Sequence, residues 1–135
     1  MIVRPMATKT TLEARARLLS GLRSFFDAKK SLEVDVPVIA KAPASDPWLD
    51  SFTVHDPAGI RIGYLLTSPE TYLKQLLAEY QCPLHSIGKA YRANEEGSQH
   101  AIEFTMLEWY RPIEARPFEM MVCEIQDLIE ELTIY

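Results

Sequence analysis

The stretch Tyr91–Pro112, YRANEEGSQHAIEFTMLEWYRP, contains the clearest structural pattern in this sequence. It begins with an arginine, passes through a polar loop that contains a glycine, and continues as an alternating run of apolar and polar residues. Because strand side chains alternate between two faces, every second residue of that run shares a face. The residues on one face are Phe104, Met106, Glu108 and Tyr110. The segment from about 85 to 111 is therefore predicted to be a strand–loop–strand hairpin.

The composition of the chain is that of an ordinary globular domain. It has 135 residues, of which 47% are hydrophobic and 24% are charged, and its formal net charge is -5. A chain of this length can bury about two-thirds of its unfolded surface in one core. The negative charge argues against broad affinity for a nucleic-acid backbone, which needs clustered Lys and Arg. A few positioned basic residues could still bind one nucleotide.

The cysteines and the hydropathy pattern indicate the cellular compartment in which the protein is expected. Cys82 and Cys123 lack metal-ligand spacing and lie in largely apolar surroundings in the sequence. This pattern favours reduced core cysteines in a cytoplasmic protein. The N-terminus has no signal-type apolar core, and no run approaches the length of a membrane span. We therefore expect a soluble cytoplasmic domain with no membrane partner.

Helical periodicity and capping signals place elements before and after the hairpin. Residues 1–9 are predicted to be a loose arm. Thr10 and Glu13 have capping-box spacing, and an apolar stripe follows them, which predicts a helix over about 11–30. That stripe consists of Leu18, Leu19, Leu22, Phe25 and Phe26. Periodicity also predicts a helix over 117–132.

The middle of the chain combines short strands with one more helix. LEVDVPVI alternates as a strand does, but proline cannot donate to a ladder, so the strand is interrupted at Pro37. Short strands are predicted at 52–54 and 63–66, around the turn DPAG. The segment TSPETYLKQLLAEY is predicted to be a helix with Ser68 as N-cap and Pro69 at the first helical position. Its predicted buried stripe is Leu73, Leu76, Leu77 and Tyr80. Helices and antiparallel strands without regular βαβ alternation indicate an α+β fold.

Two groups of side chains could carry chemistry, and each has a plainer alternative. The planar fork of Arg92 could hold two phosphate oxygens, or it could form a surface salt bridge with Glu95 or Glu96. At the far side of the loop, His100 could approach a polyphosphate or be an ordinary turn histidine. Phe104 could stack on a base or lie in the core. We expect the Arg92 guanidinium to face the same cavity as Phe104.

Two carboxylates form the second group. Glu108 lies in the middle of a strand, where burial of an unpaired carboxylate costs several kcal/mol. A ligand ammonium or a neighbouring Arg or Lys would offset that cost. Glu70 lies in the first turn of a helix, where interaction with the helix dipole is the plainer explanation. If both carboxylates face one cavity, they suit a substrate with two amino groups.

Several segments resemble the catalytic core of the class II aminoacyl-tRNA synthetases, in particular its lysyl branch. They are TSPETYLKQLL, Arg92, His100 and EFTMLEWYRP. The first helix and LEVDVP resemble motif 1 of this family, at about 11–40, and the hairpin resembles motif 2, at about 85–111. The resemblance implies an antiparallel sheet flanked by helices, as a partial catalytic domain over residues 10–135.

The resemblance implies an ATP site and a site for a lysine-type amino acid. Arg92 would be catalytic and bind the α-phosphate, His100 would approach the outer phosphates, and Phe104 would stack on adenine. The implied ATP-binding set is Arg92, Asn94, His100, Ala101 and Phe104. The implied amino-acid set is Ser68, Pro69, Glu70, Glu108 and Tyr110. Mg²⁺ is implied together with ATP, but no side chain of this chain is assigned as a metal ligand.

The reaction that the resemblance implies is formation of an aminoacyl adenylate from lysine or (R)-β-lysine and ATP. The adenylate would then pass to a lysine of elongation factor P or, in a lysyl-tRNA synthetase, to tRNA. Motif 1 implies a homodimer in this family.

Three departures from the family pattern leave a further alternative open. Asn94 occupies the place of a glutamate, and Ala101 occupies the place of an asparagine. The sequence reaches Tyr135 without anything like motif 3, the segment that completes the ATP site in the family. A truncated, non-catalytic paralogue that dimerises or binds nucleotide is therefore an alternative, beside the catalytic core of a lysyl-tRNA synthetase.

Overall fold

A computed structural model describes residues 7–95, 97, 100–113 and 116–133. The chain divides into two compact units, one made of residues 1–31 with 113–135 and the other of residues 32–112. The predicted N-terminal arm over 1–9 falls mostly on residues 1–6, which lie outside the described residues. Each unit is described separately below.

The first unit pairs two helices, α1 (Lys9–Ala28) and α3 (Pro117–Leu132). Leu22 and Phe26 of α1 and Leu128 of α3 are buried. An ion pair links Lys29 Nζ to Asp127 Oδ2 at 2.8 Å. The α3 bounds match the prediction, because Pro117 supplies a helix-compatible φ at the first position.

The predicted start of α1 is wrong by two residues. The helix begins at Lys9, and Thr8 is its N-cap, with an extended backbone and a hydroxyl that accepts from the Thr11 amide at 3.1 Å. The sequence offers threonines at 8, 10 and 11, and each can cap a helix in this way. The earlier threonine caps the helix, so Thr10 lies inside it.

The second unit contains two three-stranded sheets. In the first, the strand order is β1 (Leu32–Glu33), β5 (Leu84–Tyr91) and β6 (Glu103–Tyr110). β1 is parallel to β5, whereas β5 and β6 form the predicted antiparallel hairpin, which pairs from Leu84 with Tyr110 to Tyr91 with Glu103. In the second sheet, the order is β2 (Ile39–Ala40), β4 (Arg61–Leu65) and β3 (Thr53–His55), all antiparallel. Helix α2 (Glu70–Tyr80) packs on β5 and β6. The α+β class is confirmed.

Pro37 has the predicted effect on the strand around it. The segment on either side of it forms two short strands, β1 and β2, which belong to different sheets. The turn between β3 and β4 also follows the sequence: Asp56 Oδ1 accepts from the Ala58 and Ile60 amides, and Gly59 has a φ of 83°. Both strands around that turn lie within two residues of their predicted bounds.

Two predictions of burial are wrong. Tyr80 is 64% exposed because it is the last residue of α2, whereas Leu73 in the middle of that helix is buried. Cys123 is exposed on α3, and Cys82 is half-buried, so neither is a core cysteine. Both are free thiols. Apolar neighbours in sequence did not predict burial at Cys123, because its helix turns that position toward solvent.

None of the helices in the described part of the chain is long and apolar enough to cross a membrane.

Candidate functional site

The site residues of the second unit lie around one face of β6. Phe104, Met106, Glu108 and Tyr110 alternate along this strand and are all half-buried. On β5, Ser86 lies opposite Glu108, and Gly88 lies opposite Met106. Directly opposite residues of an antiparallel pair point to the same face. Small residues therefore stand beside the glutamate, where large ones would fill the face.

Glu108 is held by two hydroxyl groups. The Ser68 hydroxyl donates to Glu108 Oε2 at 2.8 Å, and the Tyr110 hydroxyl donates to Oε1 at 3.2 Å. Among the residues that the structure describes, no Lys or Arg forms an ion pair with Glu108. The hydrogen-bond partners of this half-buried carboxylate among the described residues are therefore neutral hydroxyl donors. Such a carboxylate attracts a ligand ammonium.

Ser68 connects the Glu108 carboxylate to the backbone of Glu70. Its hydroxyl also accepts from the Glu70 amide at 3.1 Å, so it binds the start of α2 and the middle of β6 at once. The helix begins at Glu70, one residue later than the predicted first position, and Pro69 is its cap residue. The bond to the Glu70 amide is nevertheless the one that a capping serine makes. Pro69 itself is buried and accepts from the Leu73 amide at 3.0 Å.

The pKa of the Tyr110 hydroxyl is shifted by burial and by two nearby carboxylates. Burial raises the pKa of the Tyr110 hydroxyl well above its ordinary value, and the negative charges of Glu108 and Glu70 raise it further. The hydroxyl therefore remains a hydrogen-bond donor at physiological pH. Its donation to Glu108 fixes the orientation of that carboxylate.

Glu70 differs from Glu108 because it already has a cationic partner. Lys74, one turn further along α2, forms an ion pair with the Glu70 carboxylate. Both side chains are more than half exposed, so the pair is screened by solvent. Lys74 was not among the predicted site residues, although its i,i+4 spacing from Glu70 is a recognised signal for such a pair.

The second group contains Arg92 and Phe104. The guanidinium carbon of Arg92 lies 5.2 Å from the centre of the Phe104 ring, so the two side chains lie on the same side of the sheet. That they face one cavity stays a prediction. Arg92 Nε donates to the carbonyl of Thr67 at 3.4 Å, and Arg92 Nη1 lies 3.8 Å from Glu95 Oε2. The contact with Glu95 was the plainer alternative for Arg92, and it is present. At that distance the ion pair leaves donors of the fork available to a ligand.

Three predicted ATP-site residues, Asn94, His100 and Ala101, lie in the loop between β5 and β6. Asn94 has a φ of 62°, and its Nδ2 donates to Asp50 Oδ2 at 2.9 Å. His100 is exposed and forms reciprocal backbone hydrogen bonds with Gly97, each 3.3 Å. Ala101 is exposed. The assignment of Asn94, His100 and Ala101 to an ATP site stays a prediction.

Two cavities lie near Ser68 and Pro69, and neither of them is bordered by Glu70 or Glu108. One of about 250 Å³ is bordered by residues 40–44, 65–68, Thr71, Tyr72 and Gln75, and so reaches Ser68. A smaller one of about 30 Å³ lies among Ser86, Gly88, Met106 and Pro69, with residues of the segment after β1. The described residues contain no group of three or more His, Cys, Asp or Glu side chains placed to hold a metal ion.

The sequence as a whole matches a known family. A family profile described as tRNA synthetases class II (D, K and N) matches residues 1–133. The chain belongs to this family of class II tRNA synthetases. Membership agrees with the α+β fold and with the hairpin that resembles motif 2.

Three curated relatives of this class II chain carry the same name. The chain is 41% identical over 112 residues to an elongation factor P–(R)-β-lysine ligase of Photobacterium profundum. This match covers 80% of the chain and 35% of that protein. The chain is 36% identical over 135 residues to the protein of that name from Proteus mirabilis, covering 95% of this chain and 40% of that protein. A third, from Pseudoalteromonas translucida, is 42% identical over 113 residues, with coverages of 80% and 35%. The chain spans about 35% to 40% of the length of these relatives.

Proposed function

We propose that this chain forms the part of a ligase that binds ATP and a lysine-type amino acid, activates the amino acid as an adenylate and passes it to elongation factor P. The observation that carries the proposal is the half-buried carboxylate of Glu108. It is oriented by the hydroxyls of Ser68 and Tyr110 and has no cationic partner among the described residues. The names of the relatives support (R)-β-lysine as the amino acid and elongation factor P as the acceptor.

The amino-acid site would hold a substrate with two ammonium groups. Glu108 supplies the stronger attraction, because Lys74 already neutralises part of the charge of Glu70. The Tyr110 hydroxyl stays protonated, since burial and the two carboxylates raise its pKa, and it holds the Glu108 carboxylate in place. Specificity for a diamino substrate follows, because an analogue that lacks one ammonium leaves a carboxylate desolvated and unpaired.

The ATP site would be built on the end of β5 and the start of β6. The residues present fit ATP as a substrate, because a cationic fork and an aromatic ring lie side by side, 5.2 Å apart. Arg92 would bind the α-phosphate, and Phe104 would offer its ring to the adenine. His100, Asn94 and Ala101 would border the phosphates from the loop. No step of the reaction is assigned to Mg²⁺, since the described residues show no ligand set for it.

The reaction that these residues would perform has two steps. A carboxylate oxygen of the amino acid attacks the α-phosphorus, the bond between the α-phosphorus and the bridging oxygen breaks, and pyrophosphate leaves. An amine of a lysine of elongation factor P then attacks the acyl carbon, loses a proton and releases AMP. The chain contributes by positioning the two substrates and by stabilising charge at the α-phosphate through Arg92.

The acceptor has a second candidate. The family profile that matches the chain covers synthetases for three amino acids, including lysine. A tRNA hydroxyl could therefore replace the amine of elongation factor P in the second step. The amino-acid and ATP sites would be the same in both cases.

The experiment that tests the proposal is pyrophosphate exchange into ATP, measured with (R)-β-lysine, lysine, norleucine and no amino acid. We expect exchange with the two diamino acids and none with norleucine, which lacks the second ammonium. A transfer assay of labelled amino acid to elongation factor P and to tRNA then identifies the acceptor. Binding of norleucine as tight as that of lysine would refute the role of the carboxylates.

A further inference from the structure

Three successive backbone amides at the end of β5 bind three different segments of the chain. Tyr91 N donates to Leu66 O at 2.8 Å, Arg92 N to Ile102 O at 3.0 Å, and Ala93 N to Asp50 O at 2.9 Å. Arg92 is thus bound to the residue that precedes β6, while its two neighbours are bound to the segments around the second sheet. This pattern fixes the backbone from which the arginine side chain extends.

Asp50 accepts hydrogen bonds from this part of the chain through both its main chain and its side chain. Its carbonyl accepts from Ala93, and its carboxylate accepts from Asn94 Nδ2 at 2.9 Å. Asn94 has a φ of 62°, in the left-handed region that asparagine adopts more readily than most residues. Asp50 therefore binds the two residues that directly follow Arg92, where the chain turns out of the strand.

We infer that Asp50 is a positioning residue for Arg92. It acts through Ala93 and Asn94, and its role rests on the proposed function, in which Arg92 binds the α-phosphate of ATP. The arginine fork can make two parallel bonds to a phosphate only from a fixed backbone position, because a small displacement breaks the match of both bonds at once. Asn94 serves the ATP site in this arrangement by fixing the loop.

Two substitutions each remove the side-chain hydrogen bond between Asn94 and Asp50 and leave the main-chain bonds in place. Asp50→Ala removes the acceptor but leaves the main-chain bond to Ala93. Asn94→Gly removes the donor and still allows a positive φ, so it avoids backbone strain. We expect each to weaken ATP binding by about 2- to 10-fold, the equivalent of one lost hydrogen bond. The double variant should bind ATP about as tightly as the more affected single variant, because the two substitutions remove the same bond.

Several readouts distinguish positioning from a general structural role. ATP and lysine affinities are measured by calorimetry, and only the ATP affinity should fall. Asp50→Asn, which keeps an oxygen acceptor, should restore most of the ATP affinity. Amide hydrogen exchange in residues 91–95 of the free protein should become faster in Asp50→Ala and Asn94→Gly.

Asp46→Ala is the matched control. Asp46 lies in the same loop before β3, and its Oδ1 accepts from the Trp48 amide at 2.9 Å. This variant should leave both ATP affinity and exchange in residues 91–95 unchanged. If wild-type protein binds ATP and Asp50→Ala binds it equally well, the positioning role is refuted and the proposed function stands. If wild-type protein does not bind ATP, the proposed function fails and the positioning role fails with it.

Discussion

Replacing Glu108 by glutamine should weaken binding of the lysine-type amino acid and leave ATP binding unchanged. The substitution keeps the size of the side chain and an oxygen that can accept from Ser68 or Tyr110, which now bind the carboxylate at 2.8 and 3.2 Å. It removes the negative charge. A hydrogen bond to a charged group contributes about 1.5–3 kcal/mol, so the dissociation constant should rise about 10- to 150-fold.

The structure also predicts which of the two carboxylates contributes more to binding of the amino acid. Glu70→Gln should have a smaller effect than Glu108→Gln, because Lys74 already pairs with Glu70 on the exposed side of α2. Glu79→Gln, at an exposed position of the same helix, is the matched control and should have no effect. Calorimetric titration with (R)-β-lysine and lysine measures all three. A Glu108→Gln variant that binds either amino acid like the wild type would refute the assignment of Glu108.

Four further predictions concern ATP binding, titration, packing and assembly. Arg92→Ala should weaken ATP binding at least 10-fold in calorimetry with lysine affinity unchanged, because it removes a charge-assisted pair of bonds; equal losses for both ligands would contradict this role. Because burial and two carboxylates raise the pKa of Tyr110 above the ordinary value of 10.0, its neutral form stabilises the fold below that pH, and this contribution is lost as the pH rises further. A difference titration of tyrosinate absorbance between wild type and Tyr110→Phe should show ionisation only well above pH 10.0, and ionisation at 10.0 would refute the shift. Gly63→Ala should lower the free energy of unfolding in urea by about 1–3 kcal/mol, since the added Cβ would lie 2.6 Å from the Ala40 carbonyl oxygen, and an unchanged midpoint would contradict that contact. The segment 11–40, which resembles motif 1, should form a dimer interface, so light scattering at micromolar concentration should give twice the chain mass, and a monomer at every concentration would refute it.

The elements that local patterns specify were predicted well. The β5–β6 hairpin pairs eight residues on each strand, and α3 combines an N-terminal proline with sustained periodicity. Where several residues of one type could play the same role, the predicted boundary was displaced. At the start of α1, three threonines could each cap the helix, and the predicted start was two residues too late. Burial at the ends of helices, as for Tyr80, depends on packing that sequence periodicity does not specify.

The candidate site could be predicted only in part from the sequence. The shared face of Phe104, Glu108 and Tyr110 follows from strand alternation, and the bond between Ser68 and the Glu70 amide follows from capping chemistry. The contacts of Asp50 with Ala93 and Asn94 join residues more than forty positions apart, so no local pattern marks them. The same is true of the bond from Arg92 to the Thr67 carbonyl.

A crystal structure with a non-hydrolysable (R)-β-lysyl adenylate analogue, in which a sulfamoyl group replaces the phosphate, tests the central proposal most directly. We expect the ammonium groups to lie within hydrogen-bond distance of the Glu108 and Glu70 carboxylates. The sulfamoyl group should contact the Arg92 guanidinium, and the adenine should lie against the Phe104 ring. An analogue bound elsewhere, or one whose ammonium groups face away from Glu108, would contradict the proposed function.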